Sequence, residues 1–162
     1  MIMEEFQDPE ICDDLLSFLQ FLQPLHLTAA VEEPLVVSFL QLLRTKEISV
    51  FLEWMYEHVE MRHSIKIAES IGLLDFFEQS LPLFRTCKTL GLEDSQRFPL
   101  YQTFWEGFVQ MKYDSFFHFL HRHVEEKVKQ PLLDSIGMEC QYQSFKKIQY
   151  VQRVGGIHVV SS

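Results

Sequence analysis

Apolar residues recur three or four positions apart along most of the chain, which is the spacing of helices with one buried face. The first such stretch follows Asp8, Pro9 and Glu10, which together are typical of a helix start: a capping residue, a proline and an acidic first turn. The pattern predicts further helices over residues 34–44, 46–59, 64–72, 73–90 with a break near Pro82, 100–111, 115–129 and 131–136.

The last fifteen residues follow a different pattern. Two segments rich in valine and isoleucine flank Gly155 and Gly156, which is typical of a tight hairpin turn. The final strand carries no lysine, glutamate or proline to protect its edge, so we expect pairing with the helical body or with a partner chain through Ile157, Val159 and Val160. The sequence therefore predicts a mainly α protein: a compact bundle of six to nine short helices over residues 1–147, with a C-terminal β-hairpin or extended tail over residues 148–162.

Composition favours one folded domain with an aromatic core. The chain has 162 residues, of which 47% are hydrophobic and fifteen are phenylalanine, and this excludes a disordered chain. Phe116, Phe117 and Phe119 cannot all face one side of a helix, so at least one is expected at the surface or in a neighbouring groove. The residues expected in the core include Phe51, Met55, Phe104, Phe108, Phe116 and Leu120.

The charge balance argues against a nucleic-acid partner and against a membrane partner. The net charge is −9, whereas binding to phosphates or to an anionic lipid surface depends on clustered lysine and arginine. Basic residues are more frequent towards the C-terminus, but they are scattered. A protein partner or self-association is therefore expected.

Three widely spaced cysteines without a Cys-x-x-Cys pair give no zinc or redox motif. The N-terminal residues are acidic and lack the features of a signal peptide, and no apolar run is long enough to span a bilayer. A cytoplasmic protein with reduced thiols is expected.

One pattern points to a metal. Glu60 and His63 have the Glu-x-x-His spacing that places both side chains on one metal in di-iron helical bundles. Asp114, His118 and His121 share one face of a later predicted helix, and together the two faces contain enough oxygen and nitrogen ligands for iron or manganese. The alternative is that these residues lie on solvated faces without a cofactor, because a di-iron site normally needs a second Glu-x-x-His pair.

Known catalytic motifs are absent: there is no Gly-x-Ser-x-Gly turn and no glycine-rich phosphate loop. The sequence therefore favours a non-enzymatic interaction or regulatory module. The competing hypothesis is a small metal-binding bundle with oxidase-type activity.

Two stretches resemble the regulator of G-protein signalling homology domain, an all-helical fold. The first begins at Phe39 with FLQLLRTKEISVFLEWMYEHVE, and the second, MKYDSFFHFL, begins at Met111. The positions that match are Phe39, Leu40, Glu47 and Phe51 in the first stretch and Met111, Asp114, Ser115, Phe116, Phe119 and Leu120 in the second.

The resemblance implies an all-helical fold that contacts a signalling protein. The asparagine that the family directs at its G protein is Ile48 here, and the family's tryptophan is Leu52. The segment between the two stretches is also shorter than in the family. These departures argue against GTPase acceleration, so the resemblance implies a divergent, regulatory member.

Overall fold

Nine α-helices follow one another within residues 9–155, the part of the chain that the computed structural model describes, and no strand occurs there. The expected mainly α fold is confirmed for these residues, and the helix count falls within the expected six to nine. Their bounds are α1 Pro9–Leu22, α2 Ala29–Thr45, α3 Ile48–His58, α4 Met61–Ser70, α5 Leu74–Leu90, α6 Asp94–Gln110, α7 Asp114–His123, α8 Glu126–Ile136 and α9 Glu139–Gly155, with a 3-10 turn at Gln23–Leu25 between α1 and α2.

The chain divides into two units between Leu81 and Pro82, within α5. Unit 1 (residues 1–81) contains α1 to α4 and the first half of α5, and unit 2 (residues 82–162) contains the second half of α5 and α6 to α9. Each unit has its own apolar core, as described below.

The core of unit 1 is built on three stacked and edge-on phenylalanines. Phe18 of α1 and Phe39 of α2 stack with ring centroids 3.9 Å apart, and Phe51 of α3 meets both rings edge-on at 6.4 and 5.8 Å. Other apolar side chains of unit 1 are also fully buried: Leu22, Leu35, Leu52, Met55, Ile67, Ala68, Phe76 and Phe77.

The core of unit 2 is also aromatic. Phe104 of α6 meets Phe116 of α7 edge-on at 5.1 Å, and Phe117 contacts Tyr142 and Phe145 of α9 at 5.8 and 5.7 Å. Leu120 of α7 and the pair Leu132 and Leu133 of α8 are buried with them.

Five of the six predicted core residues are buried, namely Phe51, Met55, Phe104, Phe116 and Leu120. The prediction is wrong for Phe108, which is only half-buried. Its ring lies beside that of Trp105, three residues earlier on α6, at 6.1 Å. Both rings occupy the side of α6 that is incompletely covered, since α6 buries Leu100, Tyr101, Phe104 and Gly107 instead.

Four prolines lie inside helices, where the sequence led us to expect helix boundaries or breaks. α2 begins five residues before Pro34, and α5 runs without interruption through Pro82. Proline removes one intrahelical hydrogen bond, so packing must compensate for the loss. In each case the residue after the proline is a leucine with at most 1% of its surface exposed: Leu35, Leu83, Leu100 and Leu132.

The predicted helix over residues 115–129 is two helices, α7 and α8, which are separated at Val124 and Glu125. The lysine ammonium of the largely buried Lys129 stabilises this corner, because it donates hydrogen bonds to the His121 carbonyl (3.3 Å) and to the Glu126 carboxylate (2.9 Å). The His121 carbonyl lies in the last turn of α7 and has no partner within that helix, so the bond from Lys129 satisfies it.

The ion pair at this corner predicts a dependence of stability on pH. Lys129 lowers the pKa of Glu126 from its ordinary value, mainly through the hydrogen bond and then through charge attraction. A lowered folded-state pKa stabilises the protein above the unfolded pKa, about 4.3, and this contribution is lost as the pH falls through the folded value.

Glu126→Gln is therefore expected to lower the melting temperature at neutral pH, and the difference from the parent protein should shrink as the pH falls below about 4. Glu125→Gln, which removes the neighbouring exposed carboxylate paired with Lys127, is the matched control. Melting curves from pH 3 to 7 test this. A difference for Glu126→Gln that stays constant over the whole range would contradict the assignment.

The predicted hairpin is wrong in its first half. Residues 148–154 were expected to form a strand, but they continue α9, which runs from Glu139 to Gly155. Tyr142 and Phe145 anchor the start of this helix in the core of unit 2, and extending an existing helix is much easier than nucleating a new element. The second half of the hairpin lies outside the described residues, as do Ile157, Val159 and Val160.

Candidate interaction groove

Unit 1 contains an apolar groove of about 450 Å³. The side chains of Phe18 and Phe39 form part of it, so one end of the aromatic stack described above is also a wall of the groove. The remaining lining residues come from α1 (Asp14, Ser17), from the end of α2 and the start of α3 (Leu42, Leu43, Lys46, Ile48), and from the end of α4 and the turn before α5 (Ser70, Ile71, Leu73).

The turn between α2 and α3 fixes one edge of the groove. Lys46 adopts a left-handed conformation (φ 63°), and its N–H donates to the Leu42 carbonyl at 2.8 Å, which ends α2. The Thr45 hydroxyl donates to the Gln41 carbonyl at 2.8 Å and accepts the N–H of Glu47 at 3.3 Å. These bonds close the turn, and α3 begins after it at Ile48.

The turn between α4 and α5 forms another part of the groove wall. Gly72 has φ 77°, a conformation that side chains disfavour, and the N–H of Leu73 donates to the Ala68 carbonyl at 2.8 Å. This helix end places Ile71 and Leu73 in the wall of the groove. Both parts are therefore defined by helix termini rather than by long loops.

A second hollow of about 240 Å³ lies between α2 and α3, and Leu42 lines it as well as the groove. Val37, 57% exposed, and the half-buried Trp54 contribute apolar surface to it. The Trp54 ring stacks on His58 at 4.7 Å, which fixes the indole on the surface of α3. Because both hollows share Leu42, the α2–α3 corner presents one apolar surface with two depressions.

Charge differs strongly between the two units. The sequence of unit 1 contains fifteen acidic and four basic residues, a net charge of −11, whereas unit 2 contains eight acidic and ten basic residues, a net charge of +2. The groove itself has Asp14 and Lys46 among its lining residues, and Glu47 borders the second hollow. The apolar corner thus belongs to a unit whose overall field attracts positive charge.

The predicted metal ligands of unit 1 lie at the start of α4. The Glu60 carboxylate accepts a hydrogen bond from Arg62 at 3.1 Å, and both side chains are largely exposed. His63 is half-buried, and its Nδ1 atom is enclosed without a hydrogen-bond partner among the described atoms.

The predicted metal ligands of unit 2 make contacts of other kinds. The Asp114 carboxylate lies 3.6 Å from the ammonium of Lys112, and the His118 ring meets Phe145 edge-on at 5.4 Å. His121 is exposed, and its carbonyl accepts the bond from Lys129. Among residues 11–151, whose side chains the structure describes, no three histidine, cysteine, aspartate or glutamate side chains come together as a metal would require. Iron or manganese binding stays a prediction.

Most residues of the groove, including Leu42, Leu43 and Ile71, were not predicted from the sequence. One signal was available: α2 contains apolar residues on more than one face, since Val36, Val37, Leu40, Leu42 and Leu43 accompany the buried Leu35 and Phe39. A helix with more apolar surface than one buried face requires must offer some of it elsewhere. Phe119 follows the expectation made for its cluster, because Phe116 and Phe117 are buried whereas Phe119 is half-exposed and lines a hollow of unit 2.

Comparisons of this chain with protein-family models, with curated proteins and with solved structures found no match. Across the residues that the structure describes, no helix is both long enough and apolar enough to cross a membrane.

Proposed function

We propose that this chain is a non-enzymatic protein-interaction module, and that the groove of unit 1 binds an amphipathic helix carrying positive charge. The observation that carries the proposal is the apolar groove beside the α2–α3 corner in a unit with a net charge of −11. A cytoplasmic location and a regulatory role belong to the proposal as expectations from the sequence.

The shape of the surface favours a helix as ligand. Amphipathic helices bind grooves through side chains at positions i, i+3, i+4 and i+7, which insert into successive depressions. Leu42 lines two depressions of about 450 and 240 Å³, so neighbouring anchor side chains of one helix have two places to enter. A single small ligand would use only one of them.

The charge of the unit favours a basic partner. The negative electrostatic field of unit 1 accelerates association with a positively charged helix and slows association with an acidic one. Salt screens this effect over about 10 Å. The apolar lining then supplies affinity, because burying apolar surface contributes roughly 25 cal/mol per Å².

The resemblance to the regulator of G-protein signalling domain supports the same surface. Its first stretch covers the second half of α2, the turn and α3, which together line both hollows. Where that family has a contact asparagine, this chain has Ile48 in the wall of the groove. We therefore propose partner binding through this corner by apolar contact, without GTPase acceleration.

A designed peptide tests the proposal. The probe is a 20-residue helix with leucine at positions i, i+3, i+4 and i+7 and lysine elsewhere, and its control has glutamate in place of lysine. We expect the lysine peptide to bind with micromolar affinity, and the glutamate peptide to bind at least about tenfold more weakly at low salt. Fluorescence anisotropy of the labelled peptides measures both.

Leu42→Lys is expected to weaken binding of the lysine peptide about tenfold or more, since it places a charge where the two hollows meet. Ile71→Lys tests the part of the groove wall that the turn between α4 and α5 provides. Val109→Lys adds the same charge at another exposed apolar position, 57% exposed in unit 2, and should bind like the parent protein. Melting curves confirm that each variant is folded. Equal affinity for both peptides, or no effect of Leu42→Lys and Ile71→Lys, would overturn the proposal.

A further inference from the structure

The C-terminal part of α9 differs in charge from the rest of the chain. Glu139, at the start of α9, is the last acidic residue of the sequence, and Lys146, Lys147 and Arg153 follow it. Unit 1 is strongly acidic, whereas this helix end carries only positive charge. The chain therefore contains an acidic unit and a basic helix end, whose charges attract each other.

The same part of α9 leaves apolar side chains uncovered. Phe145 is buried, and none of the residues from Lys146 to Val151 is buried. Ile148, Tyr150 and Val151 are 55%, 66% and 50% exposed. Ile148 and Val151 are three residues apart and so share one face of the helix. A helix end with lysines beside uncovered isoleucine, tyrosine and valine has the composition of a ligand for an apolar groove in a unit of negative net charge.

We propose that the chain associates with itself: the end of α9 from one copy binds the unit 1 groove of a second copy. This inference rests on the proposed function, since it names the helix that the groove takes. Ile148 and Val151 enter the depressions beside Leu42, and Lys146 and Lys147 lie against the acidic surface of unit 1. The same element binds the groove that the proposed partner would use, so the two ligands compete.

Such a contact joins two different surfaces, so it is heterologous rather than self-complementary. It closes into a reciprocal dimer or a ring where the geometry permits, and it otherwise continues as an open chain of copies. The contact area is that of one helix end, which places it among weak, transient interfaces. Association is therefore expected in the micromolar to sub-millimolar range, with weakening at high salt.

Sedimentation velocity of the full chain tests the proposal directly. We expect the average mass to rise with protein concentration at low salt and to fall back towards the monomer in about 0.5 M salt. A helix variant (Ile148→Glu with Val151→Glu) and a groove variant (Leu42→Lys) are each expected to weaken association about tenfold or more. Melting curves show whether each variant folds. If the helix variant does not fold, Lys146→Glu with Lys147→Glu replaces it, and if the groove variant does not fold, Ile71→Lys replaces it.

Mixing the two variants separates a head-to-tail contact from other kinds of association. Each variant alone has one defective surface, but the mixture retains an intact groove from the helix variant and an intact helix from the groove variant. We expect a 1:1 complex in the mixture under conditions in which each variant alone is monomeric. A mixture that stays monomeric, or a parent protein that is monomeric at every concentration and salt, would overturn the proposal.

Binding of the designed lysine peptide distinguishes failure of the proposed interaction function from failure of the proposed self-association. If the lysine peptide binds the groove while the parent protein stays monomeric, the interaction function stands and the self-association is wrong. If neither the peptide nor a second copy binds, both are wrong. If the chain self-associates through the groove, the lysine peptide should dissociate the copies, and a complex that persists in saturating peptide would place the contact elsewhere.

Discussion

Replacing Phe51 with alanine is expected to lower the free energy of unfolding by about 3–5 kcal/mol. Phe51 is 2% exposed and touches the stacked rings of Phe18 and Phe39 from the side, so its removal takes away the edge-on contacts of both rings. Part of the loss comes from the transfer of the ring to water, and part from the cavity that the surrounding helices cannot close. Urea denaturation at neutral pH measures the change.

Phe108→Ala is the matched control, because it removes the same ring from a half-buried position on α6. In proportion to its smaller burial, we expect roughly 1–2 kcal/mol for this variant. If Phe108→Ala cost as much as Phe51→Ala, the difference in burial between the two rings would be refuted.

Gly107→Ala is expected to destabilise the chain by about 1–3 kcal/mol, the range for forced overpacking of a core. Gly107 is buried within α6, and a Cβ atom there would overlap the Cδ1 side of the Tyr113 ring. Tyr113 cannot move freely, because its ring also contacts Phe104, Phe116 and Phe117. Without this clash, alanine would stabilise the helix by about 1 kcal/mol relative to glycine.

The effect of Gly107→Ala on the free energy of unfolding should therefore change sign when the Tyr113 ring is absent. In a Tyr113→Ala background, Gly107→Ala is expected to stabilise the chain by up to about 1 kcal/mol, because only the helix preference remains. Equilibrium unfolding of the four proteins of this double-mutant cycle measures the coupling. A destabilisation by Gly107→Ala that is equal in both backgrounds would show that the Tyr113 ring is not the obstacle.

Local patterns sufficed to predict the helical class and much of the core. The spacing of Phe51 and Met55, and of Phe116 and Leu120, places each pair on one helix face, and all four are buried. Such predictions succeed because a helix face is determined by residues a few positions apart. Phe108 was misassigned since the same local pattern does not indicate how far a neighbouring helix extends over α6.

Predicting the groove would have required information that local sequence patterns do not contain. Its walls come from α1, α2, α3 and the turn after α4, and Asp14 and Leu73 are nearly sixty positions apart in the sequence. The α9 helix shows a related difficulty: the preference of Ile148 and Val151 for strands is weak, and a helix anchored by Phe145 overrides it. In both cases tertiary contacts, rather than the residues themselves, decide the outcome.

The four prolines that precede buried leucines inside helices also affect the unfolded chain. Each pyrrolidine ring fixes one backbone angle before folding begins, so the chain loses less conformational entropy when the helix forms, by about 0.4–1 kcal/mol at a compatible site. This contribution offsets part of the missing hydrogen bond at Pro34, Pro82, Pro99 and Pro131. The stability of these four helices is therefore determined partly by states in which none of them exists.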